Sequence, residues 1–183
     1  DGAFLLNTTA SIKAAGGKQS GYAKTNGIRN TVMDYRSLYT NTTGSYNNAF
    51  GQGALYSNTT GASNVAVGYS ASESNTTGTG NVSVGQEALF SNTTASNNTA
   101  VGYQAGYSNT TGIQNTALGF QAGFSNTTGV SNTAVGVVAL KLNTTGFELV
   151  AVGQQALENN TTGVQSVAVG MRSLRSNTSG IYN

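Results

Sequence analysis

Residues 58–74 read Asn58-Thr59-Thr60-Gly61-Ala62-Ser63-Asn64-Val65-Ala66-Val67-Gly68-Tyr69-Ser70-Ala71-Ser72-Glu73-Ser74, and Asn75-Thr76-Thr77-Gly78 then begins the same phrase again. The Asn-Thr-Thr-Gly opening stands at Asn41, Asn58, Asn75, Asn109, Asn126, Asn143 and Asn160. Asn92 carries Ala95 in place of the glycine, and Asn177 carries Ser179 in place of the second threonine. With those two included, every step of the series is 17 residues. Lys24 and Asn7 extend the frame backwards in degenerate copies, giving eleven registers without an insertion or deletion. A second block keeps the same phase, from Ala49-Phe50-Gly51 through Ala66-Val67-Gly68 and Ser83-Val84-Gly85 to Ala168-Val169-Gly170. Three residues past each of these glycines stands a small residue: Ala54, Ala71, Ala88, Ala105, Ala122, Ala139, Ala156 and Ser173.

Strict spacing of this kind decides the fold class. Loops and linkers tolerate insertions, so a repeat that never slips implies that each residue lies above its equivalent in the next coil. This is the rule of a parallel β-solenoid, in which neighbouring strands stack about 4.8 Å apart and each unit contacts its neighbours. The spacing predicts an all-β chain of 17-residue coils, roughly 50 Å long for eleven coils at ~4.8 Å each. Val65 and Val67 alternate with Ala66, the period of a strand with one β-branched and one small face. The glycine after it permits a bend or a close backbone approach. The Ala-Leu segment reads as a second short strand, and Ser-Asn-Thr-Thr-Gly as a turn, with Asn and Gly tolerating positive φ and Thr bonding locally to the backbone. So thin a coil suits Ala and Gly inside. Its β-branched and aromatic face is then left over, which predicts lateral association, most simply of three parallel chains.

Composition agrees. Only 8% of the 183 residues are charged, against roughly 25% in ordinary domains. Gly numbers 25, and Pro, Trp, Cys and His are absent, while nine Tyr and six Phe argue against plain disorder. A net charge of +2 without a basic run gives no footing for nucleic acid. No apolar stretch is long enough to insert in a membrane. The sequence is divided into degenerate coils over 1–40 and regular coils over 41–183, and the array is expected to continue beyond both ends.

The Asn-x-Ala-Val-Gly-x-x-Ala block, over about Asn41 to Ser176, resembles the head repeats of trimeric autotransporter adhesins. The longer form containing Asn-Thr-Thr-Gly resembles repeats of phage tail fibres and large bacterial surface proteins. The resemblance implies a trimeric parallel β-roll and a fibrous role. This sequence departs from the adhesin unit by its extra residues per coil, and it shows no stalk coiled coil or anchor.

Chemistry finds little foothold. Without His or Cys the usual base and thiol are missing. The acids Asp1, Asp34, Glu73, Glu87, Glu148 and Glu158 are scattered: Glu73 and Glu87, 14 residues apart, are out of frame with each other, and Glu148 and Glu158 sit at different corners of one coil. No phosphate loop occurs, and the turns lack the carboxylates of calcium-binding solenoids. No enzyme activity, cofactor or metal is therefore expected. Sequons place candidate N-glycosylation at Asn41, Asn58, Asn75, Asn92, Asn109, Asn126, Asn143, Asn160 and Asn177, with others at Asn7, Asn81, Asn97 and Asn159. The same residues are also good turn formers, and a row of branched glycans at ~4.8 Å spacing would crowd. Aromatics just past the glycine (Tyr35, Tyr69, Tyr103, Phe120) and four residues on (Tyr39, Tyr56, Phe90, Tyr107, Phe124) serve either packing between chains or a sugar-stacking surface. The functional expectation is a spacer and scaffold segment of an extracellular, cell-surface or virion appendage. Its expected partners are its own copies, laterally and end to end, and covalent glycans or surface carbohydrate. The alternative is an adhesin or receptor-binding fibre whose repeats bind host glycans.

Overall fold

In a computed structural model, residues 12–23 and 26–183 are described, with the side chains of residues 12–15 left aside. Asp1 and the frame positions Asn7 and Lys24 lie outside the described residues. The described residues form ten short strands: β1 (Ile12–Gly16), β2 (Asn30–Met33), β3 (Asn48–Phe50), β4 (Val65–Val67), β5 (Val82–Val84), β6 (Thr99–Val101), β7 (Thr116–Leu118), β8 (Thr133–Val135), β9 (Val150–Val152) and β10 (Val167–Val169). They make one sheet in chain order. Every pair is parallel, and Val65↔Val82, Ala66↔Ser83 and Val67↔Val84 typify the 17-residue register. The expected β-solenoid is the observed fold. One irregularity is a bulge between Ile12 and Ala14, where β1 joins β2.

The pleat sends the small residue of each strand inward. Ala49, Ala66, Ser83, Ala100, Ala134, Ala151 and Ala168 are buried, while the flanking Val and Thr side chains face out. The alanines three residues past the glycine, Ala54 to Ala156, are also fully buried. Between these rows sits an apolar filling that the narrow-interior argument excluded: Leu38, Leu55, Leu89, Leu140 and Leu157 are all at most 2% exposed. Among the described residues the expected second short strand of the coil is not present. The Ala-Leu segment is instead a chain of tight turns, with the Ala54 N–H donating to the Gly51 carbonyl at 3.1 Å and the Tyr56 N–H to the Gly53 carbonyl at 3.1 Å. These turns require left-handed backbone at every inward leucine, for example φ 53° at Leu55 and φ 48° at Leu157. L-residues adopt this region at a cost of about 1–2 kcal/mol, here offset by burial of a whole leucine side chain, about 1.5–3 kcal/mol. The same place is taken by Gly106 and Gly123, at φ 60° and φ 58°. There the filling is missing, and a small apolar hollow of about 20 Å³ remains between Leu89 and Leu140.

Two rows are kept mostly to glycine by contact between coils, the second with Ala95 in one place. Gly68, at φ 133°, would bring a Cβ within 2.6 Å of the Gly85 carbonyl oxygen. Gly61 has negative φ, and its requirement is proximity alone: a Cβ would lie 2.4 Å from the Gly78 oxygen. The expected positive φ at the Asn and Gly of Asn-Thr-Thr-Gly is therefore corrected. The left-handed residues lie elsewhere, at the strand-ending glycine, in the leucine turns, and just before the second asparagine of the coil, as at Ser63 with φ 58°.

Candidate functional site

The nine sequon asparagines are inside the coil. Asn41, Asn58, Asn75, Asn92, Asn109, Asn126, Asn143 and Asn160 are at most 5% exposed, and Asn177 in the last coil is half-buried. Each amide bonds to the one before it. Asn75 Nδ2 donates to Asn58 Oδ1 at 2.8 Å and also to the Gly78 carbonyl at 3.1 Å, while Asn92 Nδ2 donates to Asn75 Oδ1 at 2.8 Å. This pattern continues unbroken from Asn41 to Asn177. An amide nitrogen with both hydrogens committed inside the coil has no room for a sugar, so in the folded chain these positions are structural. The further sequon Asn81 is buried as well, whereas Asn97 is exposed and Asn159 half-buried.

A second ladder was not foreseen. Asn30, Asn47, Asn64, Asn81, Asn98, Asn115 and Asn132 recur in phase on the other side of each Gly corner. Asn64 Oδ1 accepts the Asn81 N–H at 2.9 Å, and Asn64 Nδ2 donates to the Gly78 carbonyl at 2.8 Å. The Gly78 oxygen thus binds both ladders at once. Buried amides in this arrangement satisfy one another at every coil, which low-polarity surroundings demand. The ladder ends at Leu149, whose N–H still donates to Asn132 Oδ1 at 3.1 Å. A threonine row runs alongside: Thr59 Oγ1 donates to the Thr76 carbonyl at 3.0 Å, and the pattern repeats from Thr42 to Thr161. The first threonine of the motif therefore bonds to the next coil, not locally. The second, as at Thr60 and Thr77, faces solvent.

The outside is a set of columns with one residue per coil. The outward strand face presents Val65, Val67, Val82, Val84, Leu118, Val135 and Val152 among others, and Met33, Val67, Leu118 and Val169 in this face are 37–67% exposed. Beyond the glycine corner lies the column of Tyr35, Tyr69, Tyr103 and Phe120, with Tyr103 and Phe120 stacked at 5.4 Å. Four residues on, Tyr22, Tyr39 and Tyr56 stack at 5.0 and 5.1 Å, and Phe90, Tyr107 and Phe124 at 5.2 and 5.1 Å. Most acids belong to such columns. Glu87 accepts from Gln104 at 2.7 Å, Glu148 from Gln165 at 2.8 Å, and Glu158 pairs with Arg175 at 2.6 Å. Asp34 Oδ1 accepts the Tyr35 N–H at 2.7 Å. Glu73 has no such partner.

Among the described residues no three His, Cys, Asp or Glu side chains group as metal ligands, and no helix is long and apolar enough to cross a membrane. Comparison with known protein families, with curated proteins and with solved structures finds no match to this chain.

Proposed function

We propose that this chain is a structural fibre segment, a rod that acts as spacer and scaffold in an appendage outside the cell or on a virion, and that it works as a parallel homo-oligomer, most simply a trimer. The observation that carries the reading is the continuity of the rod. Strand hydrogen bonds, the first asparagine ladder and a threonine row link each coil to the next over the regular repeats, and a second asparagine ladder joins them as far as Asn132. Such a body resists bending and stretching but offers no enclosed centre for chemistry, which suits load and reach. The outward valine face supports the oligomer. It runs the length of the sheet, and a continuous apolar strip of that extent exceeds the few hundred Å² that monomers ordinarily leave in water. Parallel chains in register cover it at every coil, and cyclic closure leaves no open lateral contact.

Sedimentation equilibrium tests the reading. A single species of about three chain masses, dissociated by Val67→Lys with Val135→Lys but retaining its β-rich circular dichroism, is the expected result. A folded monomer across the whole accessible concentration range rejects the oligomer.

A further inference from the structure

The surface columns are filled by side chains that touch from coil to coil, and two of them break at the same place. In one, Gln121 Nε2 donates to Gln104 Oε1 at 2.8 Å and Gln104 continues to Glu87, while at the other end Arg36 Nε donates to Gln19 Oε1 at 2.8 Å. Between Arg36 and Glu87 this column holds only Gly53 and Ser70. In the other, Glu73 interrupts the aromatic stack between Tyr56 and Phe90. The two gaps merge into an open cleft of about 360 Å³, within the range of roughly 300–1,000 Å³ common for ligand sites.

Gly53 and Ser70 form the floor of the cleft, with Tyr35, Gln52 and Tyr69 along one side and Tyr56 and Glu73 along the other. Arg36 closes one end, its guanidinium held over the Tyr35 ring at 4.9 Å. Ser70 is 4% exposed, and its hydroxyl makes no hydrogen bond within the chain; it faces the space where a Gly53 side chain would stand, 3.4 Å from that point. Glu73 Oε2 faces the same space at 3.5 Å. The same coil is irregular inside as well: Ser72 replaces the inward leucine and donates to Ser83 Oγ at 2.9 Å, dividing the apolar core into two clusters. One coil thus forgoes a leucine, an aromatic stack and a polar ladder together. Departures from a fold's own rule that gather at one point mark function more than accident.

We propose that this cleft binds a short neutral saccharide. The tyrosine rings offer apolar faces with polar tips, which suit the C–H face and the hydroxyl rim of a pyranose. Ser70, Gln52 and the Glu73 carboxylate supply the mixed donors and acceptors that sugar hydroxyls require. Arg36 and Glu73 offset each other in charge, which favours an uncharged ligand over an anion or a cation. The binding activity is additional to the spacer role.

The test is a two-dimensional NMR titration of the whole chain with glucose, galactose, mannose, fucose, N-acetylglucosamine and N-acetylgalactosamine, their methyl glycosides and common disaccharides. A parallel glycan array separates free sugars from residues displayed on a polymer. At least one neutral sugar is expected to bind with Kd of about 1 mM or tighter and to shift the amides of Ser70 to Glu73. Gly53→Gln repairs the polar column; Gln104 and Gln121 already hold φ 52° and φ 49° at that place, so the side chain is accommodated. It is expected to weaken binding by about tenfold or more, roughly 1.4 kcal/mol, with a melting temperature lowered only slightly by the left-handed backbone at this place. Glu73→Tyr, which repairs the aromatic stack, provides a second, independent loss. The proposal is overturned if no neutral sugar shifts these amides at about 20 mM, if only charged sugars do, or if both repaired variants bind as the unaltered chain does.

Discussion

Replacing Asn75 by alanine removes one rung from the middle of the first ladder, and its cost follows from three hydrogen bonds. Asn75 gives one N–H to Asn58 Oδ1 at 2.8 Å and the other to the Gly78 carbonyl at 3.1 Å, and accepts from Asn92 Nδ2 at 2.8 Å. Gly78 retains its bond from Asn64. Asn58 Oδ1 and one N–H of Asn92 are left without partners in a site where the asparagines are at most 1% exposed. Each stranded buried group costs about 1–3 kcal/mol, so Asn75→Ala is expected to destabilise by about 3 kcal/mol. Because solenoid stability is close to a sum over neighbouring coils, the loss is expected to divide the urea transition, read by far-UV circular dichroism, into two unequal steps. Hydrogen exchange should locate the weakness at residues 58–98. Asn97→Ala, which alters an exposed asparagine also in a sequon, at a left-handed φ of 61°, serves as control and is expected to cost no more than about 1 kcal/mol. If Asn75→Ala is as mild as Asn97→Ala, the ladder does not hold the coils and the reasoning fails.

Three further outcomes follow from the packing. Gly61→Ala would place a Cβ 2.4 Å from both the Gly78 carbonyl oxygen and Asn58 Oδ1; because Ala95 already occupies this row two coils on, the corner can shift to admit a methyl group, and the substitution is expected to cost about 1–3 kcal/mol in urea denaturation. Gly123→Leu meets only Ala117 Cβ at 3.6 Å and extends into the hollow, so it is expected to stabilise by about 1 kcal/mol, burial of roughly 2 less about 1 for the left-handed backbone, seen as a raised melting temperature. Ala156→Leu, at a fully buried position within the packed leucine region, is expected to destabilise by about 1–3 kcal/mol through overpacking.

The coil length, the parallel strand and the inward alanines were legible because each leaves a distinct trace. A repeat without slippage requires stacking, and Val-Ala-Val reveals which side of the pleat is small. The asparagines were not legible as core residues. An Asn in a turn has the same sequence signature whether its amide points out to water, as at Asn97, or in to a ladder, as at Asn98. The available signal was that the amide itself, and not merely a polar residue, persists in phase at two places per coil, while Ser, Thr and Ala interchange elsewhere. The leucine turns were hidden by the ordinary preference of L-residues for negative φ. The exchange of Leu55 and Leu89 for Gly106 and Gly123 in one column marks a left-handed site. The saccharide cleft could be read only after the columns were aligned, since Gly53, Ser70 and Glu73 are unremarkable singly and become a gap only when stacked.

The claim beneath all of this is that 17 residues advance the rod by one strand spacing. Small-angle X-ray scattering on variants with one, three and five extra copies of residues 126–142 inserted after Leu142 measures that advance. The longest dimension is predicted to grow linearly, by ~4.8 Å per added copy and about 24 Å for five, at constant cross-section. Growth with the square root of the added length, as in a flexible chain, or a linear advance of more than about 10 Å per copy, twice one strand spacing, would contradict the solenoid.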